Sequence, residues 1–237
     1  MRTLVVALLV LAGTASAAPS TLAPGTYVTE RGWGTLEIKP AQKDGQRFEL
    51  NAMGGNGHSC GLEGVIRQGK ATIEDGDQPA CVVRFEKKDD GLDVTTPDAS
   101  ACRGWCGARA WFEGSYRQPP AQCRASAVKK TRAAFKKLYD RKAYAEARDT
   151  LRPLLDTCRE LLGTFDEHWI RNDLAVTLHH LNDDAACLQT LEPVRSYAEA
   201  DDDELGAGEP AYRESYLRLA RATRANLKLC TKKPVSP

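Results

Sequence analysis

Apolar and polar positions alternate in short runs along residues 25–116, whereas along residues 124–230 the apolar ones recur every three or four. The first period is that of half-buried strands, the second that of helices with one buried stripe. In the first stretch "TYVTE", "GTLEIK", "RFELNAM", "GLEGVIR", "KATIED", "CVVRFEKK", "LDVTT" and "ARAWFEGSY" read as strands. "KDG", "GGNG", "QG", "DGDQP" and "DDG" lie between them, and such residues tolerate positive φ or hydrogen-bond their own turn. In the last run Ala108, Ala110, Phe112, Gly114 and Tyr116 share one face, the expected core side, and Trp111 points outward. In the second stretch Val128, Phe135 and Leu138 mark the buried side of a first helix, with Lys129, Arg132, Lys136 and Lys137 exposed. Tyr144, Ala147, Leu151, Leu154, Leu155, Cys158, Leu161 and Leu162 form the next stripe, and Leu188, Leu191, Val194 and Ala198 another. A last helix, Tyr212 to Cys230, carries Tyr216, Leu219, Ala220, Thr223 and Leu227.

The period changes at "RQPPAQC". Pro119 and Pro120 have no amide hydrogen to donate, so regular structure stops there. Of the 19 glycines only Gly163, Gly206 and Gly208 follow this point, so tight turns give way to long uninterrupted elements. The fold class expected is α+β in two domains. Residues 20–118 form a small disulfide-stapled antiparallel β-barrel or sandwich, and residues 121–232 a helical repeat domain.

Residues 1–18, "MRTLVVALLVLAGTASAA", have a basic start, a short apolar run and small residues at the end, the plan of a cleaved secretory signal. The run is too short for a membrane anchor, and Thr14 stands where a lipid-carrying signal needs cysteine. A periplasmic or secreted protein is expected. Export changes the meaning of the eight cysteines, at 60, 81, 102, 106, 123, 158, 187 and 230. An even set in an oxidising compartment reads as disulfides. Cys102 and Cys106 are spaced C-x3-C, unlike the C-x-x-C redox motif, and no second ligand pair completes a zinc pattern. Cys60–Cys81 with Cys102–Cys106 is the favoured pairing in the β domain. In the helices, Cys123 precedes the first helix and Cys158 ends the antiparallel second, which places them at one end. Cys187 and Cys230 meet at the other end. Cys123–Cys158 and Cys187–Cys230 follow, because a disulfide spans at most about 7 Å between Cα atoms.

The helical half repeats itself. "AEARDTLRPL" from residue 145 aligns with "AACLQTLEPV" from residue 185, with Ala145/Ala185, Thr150/Thr190, Leu151/Leu191 and Pro153/Pro193 identical. "LYDRKAYAEA" in the first unit and "NDLAVTLHHLNDDAACLQTL" in the second resemble the tetratricopeptide repeat (TPR) family. The resemblance departs from the family in its period, 40 residues against about 34. It also departs at Phe135, where the family's first helix has a small residue. It implies antiparallel helix pairs stacked into a surface that binds peptides or proteins, and it implies no catalytic residues.

Charge and chemistry add little to this picture. A net charge of +1 and export disfavour nucleic acid. Ten Lys or Arg between Arg124 and Arg152 face three acids, and "EADDDELGAGE" carries six acids and no base. These runs read first as a solvated helix face and an acidic surface loop. The sharper readings are an acidic partner on the first helix pair, or the acidic loop folded back onto it. His179 and His180 point to different faces of their helix and cannot form the i, i+4 metal pair of H-E-x-x-H. No nucleophile motif and no phosphate loop occurs, and neither a catalytic residue nor a metal or cofactor is expected. The expected function is that of an exported, non-enzymatic binding protein whose TPR-like helices hold a protein partner. Trp105 and Trp111 supply a second surface, and Lys129, Arg132, Lys136 and Lys137 a basic one. The alternatives are an inhibitor or immunity-type protein that acts on an envelope-degrading enzyme through the β domain, and a β-barrel that carries a small ligand.

Overall fold

The structure is a computed structural model and describes residues 21–231, so the expected signal segment and Lys232 lie outside it. The first half contains β1 (Gly25–Thr29), β2 (Gly34–Ile38), β3 (Gln46–Met53), β4 (Ser59–Ile66), β5 (Lys70–Ile73), β6 (Cys81–Lys88), β7 (Gly91–Thr95) and β8 (Gly114–Arg117). Chain neighbours pair antiparallel, and β8 returns to β1. Only the β4–β5 ladder is missing, so the sheet is a meander barrel with one open seam. The alternating pattern is the cause: in β3, Phe48, Leu50 and Ala52 turn inward while Arg47, Glu49, Asn51 and Met53 face out. Leu36, Ile38, Leu50, Val83, Val94 and Tyr116 fill the interior, and Phe48 meets Phe85 edge-on at 5.0 Å. A ring of eight strands is just wide enough for side chains to fill. A ligand inside the barrel would have to displace this core.

The sequence-based strand ending at Tyr116 is cut short. Residues 108–113 lie outside the sheet, and Ala108, expected in the core, is exposed. The inward alternation nevertheless survives at Ala110, Phe112 and Tyr116. The chain crosses the barrel end here because two disulfides hold it there, and these are not the ones expected. Cys60 pairs with Cys106 (Cα–Cα 4.1 Å) and Cys81 with Cys102 (4.6 Å). Cys60 lies on β4 and Cys81 opens β6, with β5 between them. Two strand spacings are about 10 Å, too far for a disulfide. Each strand cysteine therefore takes one from the β7–β8 loop.

The second half contains α1 (Ala125–Asp140), α2 (Tyr144–Cys158), α3 (Thr164–His180), α4 (Asp184–Leu191), α5 (Arg195–Glu199) and α6 (Arg213–Thr231). The turns of the two helix pairs match at the 40-residue offset. Lys142 and Asn182 have φ of 60° and 59°. The amides of Ala143 and Asp183, the residues after them, both bond back to the carbonyl of a leucine, Leu138 and Leu178. Ala147 and Leu151 in one unit and Cys187 and Leu191 in the other are fully buried. The units differ at their prolines: Pro153 sits inside α2, whereas Pro193 opens a 3-10 turn that ends α4. Cys123–Cys158 (5.2 Å) and Cys187–Cys230 (6.1 Å) form as expected.

Each half has its own hydrophobic core. They meet through two hairpin tips at the same barrel end. The β1–β2 tip carries Arg31 and Gly32, and the β3–β4 tip carries Asn56 and Gly57, all four at positive φ. Gly32 needs its missing side chain, since a Cβ there would lie 2.9 Å from the Leu161 carbonyl oxygen. Arg31 reaches the buried carboxylate of Glu167 on α3, which Arg171 also binds at 2.7 Å. Burial opposes the charge on Glu167, but Arg171 and Arg31 outweigh it and hold its carboxyl below the usual range. At the other tip the Asn56 side-chain oxygen accepts from the Ala211 amide at 2.9 Å.

Candidate functional site

In an up-and-down barrel the β1–β2, β3–β4, β5–β6 and β7–β8 connections share one end. The first two dock on the helices, so the stapled β7–β8 loop lies beside the junction of the halves. There it walls a cleft of about 690 Å³ whose lining runs from Arg103, Arg109 and Trp111 to Glu209 of the helical half. That volume falls in the range of ligand pockets, about 300–1,000 Å³, and pockets favour domain junctions.

Trp111 is 54% exposed, and its ring packs on Trp33 with centroids 5.9 Å apart. Trp33 is itself held edge-on by the buried Tyr116, at 6.0 Å. The Met53 amide donates to the Trp33 carbonyl at 2.7 Å, and the Met53 side chain is 50% exposed. Arg109 donates to the Gly208 carbonyl at 3.0 Å and Arg103 to the Ala108 carbonyl at 3.3 Å. Neither arginine has a carboxylate partner among the described residues. The acids of the cleft are engaged: Glu113 accepts from the Thr96 amide and Glu209 from the Tyr216 hydroxyl, whose pKa burial and that acceptor push up. Asp98, at the loop's start, is held low by the Ser100 hydroxyl and the amides of Ser100 and Ala101. The cleft can therefore hold an apolar or planar group on Trp111 and take negative charge at two guanidinium groups.

The other sequence-based site residues are scattered. Trp105, on the same loop, is half-buried and lines a different cavity. On α1, Lys129 and Lys137 are exposed, and Lys129 lines a separate cavity of about 460 Å³. Arg132, expected exposed, is half-buried because Asp166 (3.0 Å) and Asp173 (3.8 Å) on α3 draw it in, and Lys136 is paired with Asp140 at 2.8 Å. Two of the four bases are thus neutralised locally. The acidic loop turns to α6 rather than to the first helix pair: Arg224 binds Asp202 at 2.6 Å and Arg213 binds Asp203 at 3.6 Å. His179 meets Asp184 at 2.7 Å near Cys230, but that sulfur is bound to Cys187. Two donors are left, fewer than the three protein ligands of a catalytic zinc. Trp33, Met53, Arg103 and Arg109 were missed from sequence. Arg109 had a signal, since the alternation that turns Trp111 outward places it on the same face.

The comparisons bring no relative to this site: no family model, curated protein or solved structure significantly matches the chain. No helix among the described residues is long and apolar enough to cross a membrane. The four disulfides are compatible with an oxidising compartment.

Proposed function

We propose that this is an exported, non-enzymatic binding protein that holds a protein partner at the Trp111 cleft, with the α5–α6 connection of its TPR-like helical half as the second wall. One observation carries the reading: a tryptophan left 54% exposed is braced by a second tryptophan, beside two arginines without carboxylate partners. Trp, Met and Arg are enriched at interfaces, and braced aromatics in pockets carry most of the binding energy there. The matching turns at the 40-residue offset support repeated helix pairs of TPR type, and Gly208 and Glu209, on the connection from α5 to α6, stand against the stapled loop.

The test places a photo-crosslinking phenylalanine analogue at position 111 or 137 and exposes the full mature protein to envelope extract. Cross-linking of one protein at 111, and an affinity at least tenfold weaker after Trp111→Ala, support the cleft. Cross-linking only at 137 would assign the partner to the α1 face. Capture that Trp111→Ala leaves unchanged would overturn the reading.

A further inference from the structure

Three glutamates stand abreast on the outer face of the barrel. Glu37 pairs with Glu49 across β2–β3, and Glu49 pairs with Glu63 across β3–β4. Like charges directly opposite weaken a sheet. Lys39 answers Glu37. Glu49 and Glu63 are exposed and make no ion pair among the described residues. Beyond Glu63 the sheet reaches its open seam, and across it Glu74 and Asp75 follow the end of β5, exposed and likewise without an ion pair among the described residues.

These four acids rim a cavity of about 490 Å³ that Gly61, Ile73 and Trp105 also line. Trp105 and Ile73 are half-buried, anchored on the barrel core, and give the groove an apolar wall. Gly61 gives it depth. A Cβ at Gly61 would meet only the Asn51 side-chain oxygen, at 3.9 Å, so packing does not demand a glycine. An exposed strand position favours β-branched residues, and a strand glycine marks a bulge, a tight bend or a place where a ligand or another backbone comes close.

The geometry points to this groove as a docking surface for an extended basic segment of a protein partner. One arginine or lysine lies with its stem along Trp105 and Ile73 and its charge among Glu49, Glu63, Glu74 and Asp75. Long basic side chains lay their methylenes on apolar surface, and a guanidinium stacks on indole. The occupant is basic because Glu49, Glu63, Glu74 and Asp75 have no cation partner among the described residues, and it is a side chain with a stem because a bare cation would leave the apolar wall unused. The groove shares no lining residue with the Trp111 cleft, so the two sites fail separately.

A dye-labelled hexaarginine peptide titrated onto the full mature protein at low salt tests this by fluorescence anisotropy, with hexaglutamate as control. Hexaarginine is expected to bind with an affinity that falls as salt rises, and hexaglutamate not at all. Gly61→Val fills the groove and should weaken binding at least tenfold, with the melting temperature kept or raised. Glu63→Gln with Glu74→Gln should weaken it as much, also without loss of melting temperature, since like-charge repulsion is relieved. Asp201→Asn with Glu204→Gln, in the exposed acidic loop, and Trp111→Ala should leave it unchanged. No hexaarginine binding at low salt, undiminished binding by either groove variant, or equal loss in the acidic-loop variant would each overturn the assignment.

Discussion

The two halves place their disulfides differently. In the helical half each bridge joins ends of elements that already pack together: Cys123–Cys158 ties the start of α1 to the end of α2, and Cys187–Cys230 ties α4 to the end of α6. In the β half both bridges run from a strand to one loop, the only long connection in the barrel. Helix pairs hold themselves by side-chain stripes, and the bridge adds to contacts already made. A loop of 18 residues between β7 and β8 has no ladder of its own, so the bridges are what define its path. Trp105, Arg109 and Trp111 ride on that loop. The β half thus carries its proposed binding surface on its least regular segment.

Removing bridges should separate these two uses. Cys60→Ala with Cys106→Ala opens a closure of 46 residues in sequence, a loss of about 4 kcal/mol by the chain-entropy account. The Trp33–Trp111 packing should go with it, seen as a loss of near-UV dichroism. Cys123→Ala with Cys158→Ala should cost a similar amount yet leave that tryptophan signal intact. If both pairs leave the tryptophan signal unchanged, the loop is held by its hydrogen bonds instead.

Acid should act on the helical half first. His168 on α3 is 5% exposed, its Nδ1 has no hydrogen-bond partner, and it packs edge-on against Tyr197 at 4.6 Å. Burial lowers its pKa to about 4, while Glu167 pulls upward and Arg31 and Arg171 oppose protonation. A depressed histidine favours the fold fully above its unfolded pKa of about 6.5, because only the unfolded chain then gains a proton as pH drops. Stability should fall from about pH 6.5 to pH 4, by about 2–3 kcal/mol, and then level off for this group. Glu167, held below the usual range, loses its share at lower pH still. His58, in the β half, is only half-buried. Urea melts at pH 7 and pH 4.5, read by helical dichroism, check this; His168→Phe should flatten the difference, and an equal slope in that variant refutes the assignment.

The smallest effect concerns the junction. Arg31 is 42% exposed at its side chain, so Arg31→Ala should cost about 1 kcal/mol or less. Its signature is separation of the tryptophan and helical melting curves, with each half's own midpoint nearly kept. Curves that stay superimposed would show that the remaining contacts, Gly32 on Leu161, Asn56–Ala211 and Arg109–Gly208, couple the halves without it.

Alternation and helical spacing made the two domains, seven of the eight strands and the repeat offset readable before any coordinates, because each depends on residues a few positions apart. Lys142 and Asn182 carry the 40-residue offset into matching left-handed turns. The helical disulfides were readable for the same reason, since helix direction alone puts Cys123 beside Cys158. The β-domain bridges were not. Which strands are neighbours depends on how the meander closes, and the presence of β5 between Cys60 and Cys81 is a fact of the sheet. Arg132 shows the same limit: a basic run on one helix reads as exposed until another helix brings Asp166 and Asp173 to it. The sequence by itself determined where chain segments are strand, helix or turn, through short-range patterns of burial. Only the tertiary structure decided which loop crosses the barrel end, which charges are neutralised and where Trp111 opens a cleft, because those depend on groups far apart in the chain meeting at a few ångströms.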